Sequence, residues 1–242
     1  MANLTETPGV KMLYLIKRRS TTSREELVAY WFKNHMPAVI EGQGAQQTAG
    51  KRHATRYIAT LFDADASGAH VWDGVAQLWW DEALNMPDVP HGSIPTDTFQ
   101  EKAQPYVPWA TKEYVVLDGA LPVQPLTLNE PFPSTRSGFL KVTFLVSAKR
   151  DTDYGAFFKH WLDVHVPNVS GVMREVGGTR YCVSHSLDPS NEPYAGMAEL
   201  YFDDADAWSE YQRLIQPDGM EQWVDPDNMA ILRAQTEMIG IP

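Results

Sequence analysis

Short runs of β-branched and aromatic residues, bounded by polar or glycine-containing segments, alternate along the chain with stretches of helical period. The runs at 11–18, 56–62, 75–80 and 113–118 predict strands, as do those at 139–147, 179–186, 196–202 and 235–241. Ser23-Arg24-Glu25-Glu26 reads as a capping box that opens a helix over 24–35, with Leu27, Trp31 and His35 on one face at i, i+4 and i+8. In the second half Asp153 is the matching cap, and Phe157, Trp161 and His165 form the same stripe. Pro37 and Pro167 are expected to stop both helices two residues after the histidine. A second helix is predicted at 97–104 and at 204–216, where Asp204-Ala205-Asp206 suits the positive helix end. The order is β-α-β-β-α-β, twice.

The doubling is visible in the residues themselves. WFKNHMP at 31–37 answers WLDVHVP at 161–167 with an offset of 130, which also pairs Tyr14 with Phe144. Arg56-Tyr57 answers Arg180-Tyr181 with an offset of 124, and GVAQLWWD at 74–81 answers GMAELYFD at 196–203 with an offset of 122. The shrinking offset assigns the first copy a longer loop, 41–53, and a further insertion before its third strand. Between the copies, 118–138 is rich in proline and has no helical period, so it reads as a linker. The expected organisation is a repeat at 1–120, a linker at 121–137 and a second repeat at 138–242.

Composition narrows the class. Thirty-one acidic and 20 basic residues give a net charge of -11, and the basic residues form no long run. Such a chain releases few counterions from a phosphate backbone, which argues against nucleic acid. The one cysteine, Cys182, fits a reducing compartment, and MANLTETPGV is unlike a secretory signal, so a cytoplasmic location is expected. No apolar window is long enough to span a membrane.

On these residues the chain resembles the EthD-type family of the dimeric α+β barrel superfamily. The resemblance is carried by LYLIKRR at 13–19, EELVAYWFKNHMP at 25–37, VTFLVSAKR at 142–150 and YGAFFKHWLDVHVP at 154–167, where an aromatic and Trp pair precedes His-x-Pro. It implies an α+β fold of two tandem ferredoxin-like repeats, each with helices on one sheet face and a bare apolar face, the antiparallel sheets packing into a barrel. It also implies chemistry on small aromatic or polyketide compounds.

His35 and His165 stand at helix C-termini, which favour imidazolium by about 0.3–1 kcal/mol while burial opposes it. They are candidate general acids or bases, or rings that bind the last helical carbonyls. Tyr57 and Tyr181 could relay a proton, and Arg56 and Arg180 could hold an anion, although alternation puts Arg and Tyr on opposite faces. His185 shares the face of Tyr181 and stands where the first half has Leu61; it is a candidate for a cavity wall or a strand-end residue. His53 belongs to the long loop. Trp31, Trp161, Tyr14 and Phe144 are candidate substrate-binding rings that serve equally as core. Trp72, Trp109 and Tyr194, which lack a match in the other half, are candidates for a substrate wall.

No metal spacing is present, because His160 and His165, five apart, would diverge by ~140° on an α-helix. No cofactor is expected, heme included. Two functions stay open: a cofactor-independent lyase that expels water, formaldehyde or carbon dioxide from a phenolic or polyketide-like compound by His and Tyr acid-base catalysis, and a non-catalytic carrier that holds such a compound for a partner oxidase. A small aromatic substrate and a second copy of the chain are the expected partners.

Overall fold

Apart from a two-residue strand at Thr5–Glu6, which no such run announces, the strands form where runs of β-branched and aromatic residues place them. The computed structural model describes residues 4–64, 71–121 and 131–242, so the expected insertion before the third strand and the middle of the linker lie mostly outside the described residues. The first half carries β1 (Thr5–Glu6), β2 (Val10–Ile16), α1 (Arg24–Tyr30), α2 (Met36–Thr48), β3 (Arg56–Phe62), β4 (Gly74–Trp80), α3 (Thr98–Lys102) and β5 (Trp109–Asp118). The second carries β6 (Ser134–Val146), α4 (Tyr154–His160), α5 (Val166–Glu175), β7 (Arg180–Ser186), β8 (Gly196–Phe202), α6 (Ala205–Leu214) and β9 (Ala230–Ile241). In each half the middle strand is flanked by antiparallel neighbours, β4 by β2 and β3, and β8 by β6 and β7. The fold is α+β with antiparallel strands.

Two compact units emerge, and each draws on both halves of the sequence. One lies within Met1–Thr7, Thr111–Leu121 and Gly138–Ala234, where β5 pairs with β7. Its core joins Val142, Tyr181, Val183 and Leu200 of the sheet to Phe157 and Trp161 of the helix. The other lies within Pro8–Ala110, Pro122–Ser137 and Gln235–Pro242, where Met12, Tyr57 and Leu78 pack on Leu27, Trp31 and Met36.

The sheet face turned from the helices is not the bare apolar face expected. In the first unit it carries Lys141, buried and bonded to Glu199 at 2.6 Å, with Thr143 and Ser184 also buried. In the second it carries Thr60, whose hydroxyl donates to Glu237 at 2.9 Å, while Arg136 donates to the same carboxylate at 2.5 Å. Alternation puts these residues opposite the core-facing ones, and buried charges persist there because they are paired.

The prolines do not stop the helices. Between α1 and α2 the turn Trp31–His35 widens into a π-helix in which the Met36 N–H reaches the Trp31 carbonyl, and Pro37 enters the first turn of α2. Trp161–His165 and Pro167 repeat the device. A proline lacks the N–H that a continuous helix needs and crowds the carbonyl four residues back, so a widened turn just before it resolves both problems. The helix therefore runs on through most of the expected 41–53 loop. Gly42 and Gly44 each weaken that helix by ~1 kcal/mol, but its buried first turn, Met36 and Pro37, anchors it. Of the helix predicted at 97–104 only Thr98–Lys102 forms, whereas 204–216 forms as α6.

Candidate functional site

The π-turn aims His35 at the start of α3. Its Nδ1 lies 2.7 Å from Asp97 Oδ2, while the other oxygen of Asp97 caps α3 by accepting the Gln100 N–H at 2.8 Å. Burial raises the Asp97 carboxyl, but the His35 bond and the Gln100 N–H outweigh it and hold the group below the usual carboxylate range. An ionised carboxylate only accepts, so Nδ1 of His35 carries the proton that it receives. The second half repeats the pair, with His165 Nδ1 2.8 Å from Asp218 Oδ2. The π-turn also swings His160 to the same side, 3.9 Å from Asp218, where an α-helix would have parted the two rings. Among the described residues no group of three or more His, Cys, Asp or Glu could hold a metal ion.

His35, backed by Asp97, opens on an aromatic cavity. His35, Val39 and Gln43, spaced by four along the interrupted helix, line a space of about 210 Å³ together with Trp31, Tyr57 and Phe99. Tyr14, Trp80, His91 and Tyr106 complete the aromatic wall. In the second half the positions of Tyr14 and Trp80 are held by Phe144 and Phe202, and α6 packs Trp208 and Tyr211 against them at ring separations of 5.5–6.2 Å. The corresponding stretch of the first half, 81–96, forms no helix, so no rings fill the space.

The predicted residues scatter. Trp31 stacks near Phe99 and donates to the Tyr57 hydroxyl at 3.1 Å, so His35, Trp31, Tyr57 and Tyr14 share one cavity. Burial raises both Tyr14 and Tyr57 well above the ordinary phenol range. Tyr181, Trp161 and Phe144 belong to the core of the other unit. His185 sits under Phe158, ring centroids 4.2 Å apart, beside an open groove of about 460 Å³, and its buried Nε2 has no partner. Burial pushes that imidazole down to about 3. Arg56 lies over the Trp79 ring at 5.3 Å, and Arg180 pairs with Asp118, so neither guanidinium reaches the cavity. Trp72, Trp109 and Tyr194 line neither space, and His53 binds only the nearby Lys51 carbonyl, at 2.9 Å. Sequence reasoning missed Asp97, Phe99, His91 and Tyr106. The offset of 121 between Asp97 and Asp218 was the available signal.

Residues 149–227 match the EthD domain family. No curated protein matches the chain. Among solved structures, the chain is similar to a heme-binding protein from Thermus thermophilus, 9% identical over 97% of this chain and 94% of that one, with a TM-score of 0.46. It is also similar to a mutant chlorite dismutase from Candidatus Nitrospira defluvii, 10% identical over 96% and 92%, TM-score 0.46. The same enzyme in complex with imidazole is 8% identical over 93% and 90%, TM-score 0.46. These are heme-binding and chlorite dismutase structures and not lyases, and with them the expected cofactor-independent lyase is withdrawn. The geometry accounts for part of that correction, because Tyr181 is sealed in the core and the Nε2 of His185 is closed to solvent. The match over 149–227 takes in the second copy of the helix signature, from Trp161 to Pro167, and bears out the expected resemblance to the EthD family for that part of the chain.

Proposed function

We propose that the cavity beside His35 is an enzyme site whose chemistry is proton transfer: His35 Nε2 takes a proton from a compact, planar compound that carries an acidic hydroxyl. The observation that carries this reading is the 2.7 Å bond from His35 to Asp97 on the wall of an aromatic cavity. Asp97 fixes the ring and its tautomer and steadies the imidazolium that forms, as the orienting group behind a general base does. A base so placed contributes ~10²- to 10⁴-fold. Pockets for drug-sized ligands span ~300–1,000 Å³. A cavity of about 210 Å³ therefore suits a ligand of single-ring size. No fragment has to leave.

The heme-binding description of one similar structure raises a porphyrin as an occupant. A histidine backed by a carboxylate is a suitable iron ligand. A macrocycle, however, is larger than a drug-sized ligand, and the cavity is smaller than drug-sized ligands need, so the residues do not fit heme. We also read the two halves as tandem ferredoxin-like repeats of 1–120 and 138–242, supported by the His–Asp pairs and π-turns that recur at matched positions.

Titration with 4-nitrophenol tests the site. Saturable tryptophan quenching is expected, with a phenolate band at pH values where the free probe is neutral, and His35→Ala should lose that band. Absence of saturable quenching contradicts the reading. In a parallel hemin titration no saturable shift of the Soret band is expected, and a shift that disappears in His35→Ala would replace this account with iron ligation.

A further inference from the structure

Two imidazoles face the cavity in different surroundings. His35 is backed by Asp97. His91, between β4 and α3, has no carboxylate on its ring and no side-chain hydrogen bond among the described residues, but its backbone is pinned by reciprocal bonds to Tyr106 at 2.8 and 3.0 Å. Its ring stands between Tyr14, at 6.0 Å, and Tyr106, at 5.6 Å, and its outer side is open to solvent, so it marks the mouth of the cavity. The groups facing it are Tyr14, Tyr106 and His35, with Asp97 behind His35. Partial burial, and then the neighbouring His35, hold its imidazole below the ordinary range. A neutral imidazole offers one N–H.

We propose that His91 is a second catalytic residue of this cavity, donating its N–H to the ligand oxygen on which negative charge collects as His35 removes the proton. This rests on the reading of His35 as the base. In the step the ligand O–H bond breaks and an N–H bond forms at His35 Nε2. The electron pair stays on the ligand and spreads through its conjugated system to a second oxygen, which accepts the His91 N–H. The ligand class is therefore a compact vinylogous acid, a hydroxyl joined through conjugation to a carbonyl-type oxygen. Two titratable groups whose surroundings differ in this way divide the roles of acceptor and donor. The proton taken by His35 then returns to the ligand at another position of the same conjugated system, which makes the overall reaction a proton shift within one molecule, regenerates the base and leaves His91 with its own N–H. The second half lacks this residue, because α6 occupies the corresponding stretch.

The probe is again 4-nitrophenol, whose nitro group supplies the second oxygen. Its apparent pKa when bound is read from the phenolate band in the full-length protein and in His91→Ala, His91→Gln and His35→Ala. His91→Ala should bind the neutral probe within about threefold of wild type and the phenolate roughly tenfold more weakly, which raises the bound pKa by about one unit. His91→Gln, which keeps an N–H donor, should restore most of the shift. If His35→Ala abolishes ionisation while His91→Ala leaves the bound pKa unchanged, His91 has no such role and the reading of His35 stands. If wild type does not bind the probe, both fall.

Discussion

The indole N–H of Trp31 points at the hydroxyl of Tyr57 from 3.1 Å, and both side chains are sealed inside the fold. The tyrosine thus holds the tryptophan of the π-turn to β3, and burial keeps its phenol from ionising. Tyr57→Phe should cost about 1–3 kcal/mol, because it orphans a buried N–H, while probe affinity stays within about threefold. Urea denaturation and the 4-nitrophenol titration check the two parts.

Gly74 opens β4 directly beneath Trp31. A methyl there would meet the Thr60 carbonyl at 2.6 Å and the indole ring at 2.9 Å, and at Gly196 it would meet the Ser184 carbonyl at 2.7 Å and Trp161 at 3.0 Å. Neither strand backbone nor a buried indole can give way cheaply. Gly74→Ala and Gly196→Ala should each destabilise by about 1–3 kcal/mol, and Gly74→Ala alone should also weaken probe binding. Thermal melts of both variants, set beside Gly171→Ala, where a methyl has open space, make the comparison.

His185 sets an acid limit on stability. Burial holds its pKa at about 3 against 6.5 in the unfolded chain, so between those values the unfolded state binds a proton that the folded state refuses. Stability from this group is full above about pH 6.5 and falls as the pH drops toward 3. His185→Leu, which installs the residue type found at Leu61, should flatten the stability curve over that window. It should also add about 1–3 kcal/mol at neutral pH by removing an unpartnered nitrogen. Denaturant midpoints across the pH range decide this, and a curve of unchanged shape would count against it.

The two carboxylates should separate by function. Asp97→Asn leaves one accepting oxygen where two are used, so with the Gln100 N–H still capped an NH2 donor faces His35 Nδ1, and His35-dependent proton transfer should fall by ~10²-fold or more. Asp218→Asn weakens the bonds to His165 and Asn168 and lies outside the His35 cavity, so it should reduce stability and leave the probe spectrum intact.

The sequence pattern reveals the strands because alternation and β-branched runs are local signals, and the stripe of Leu27, Trp31 and His35 is local in the same way. The π-turn was not legible: a proline after a histidine reads as a stop unless the widened turn before it is known. Asp97 was missed because its partner lies 62 residues away and the irregular 81–96 stretch has no period to align. His91 belongs to that same stretch. The half that keeps the cavity depended on which copy has rings to fill it, and Trp208 and Tyr211 declare this only once α6 is seen against Phe202.

The central claim is that Asp97 holds His35 with its proton on Nδ1 and a lone pair on Nε2 facing the cavity. Proton–nitrogen correlation NMR on histidine-labelled protein at neutral pH reads the tautomer directly. The account predicts a protonated Nδ1 and a bare Nε2 for His35, with that preference lost in Asp97→Asn. A His35 signal with the proton on Nε2 in the wild-type protein would contradict it.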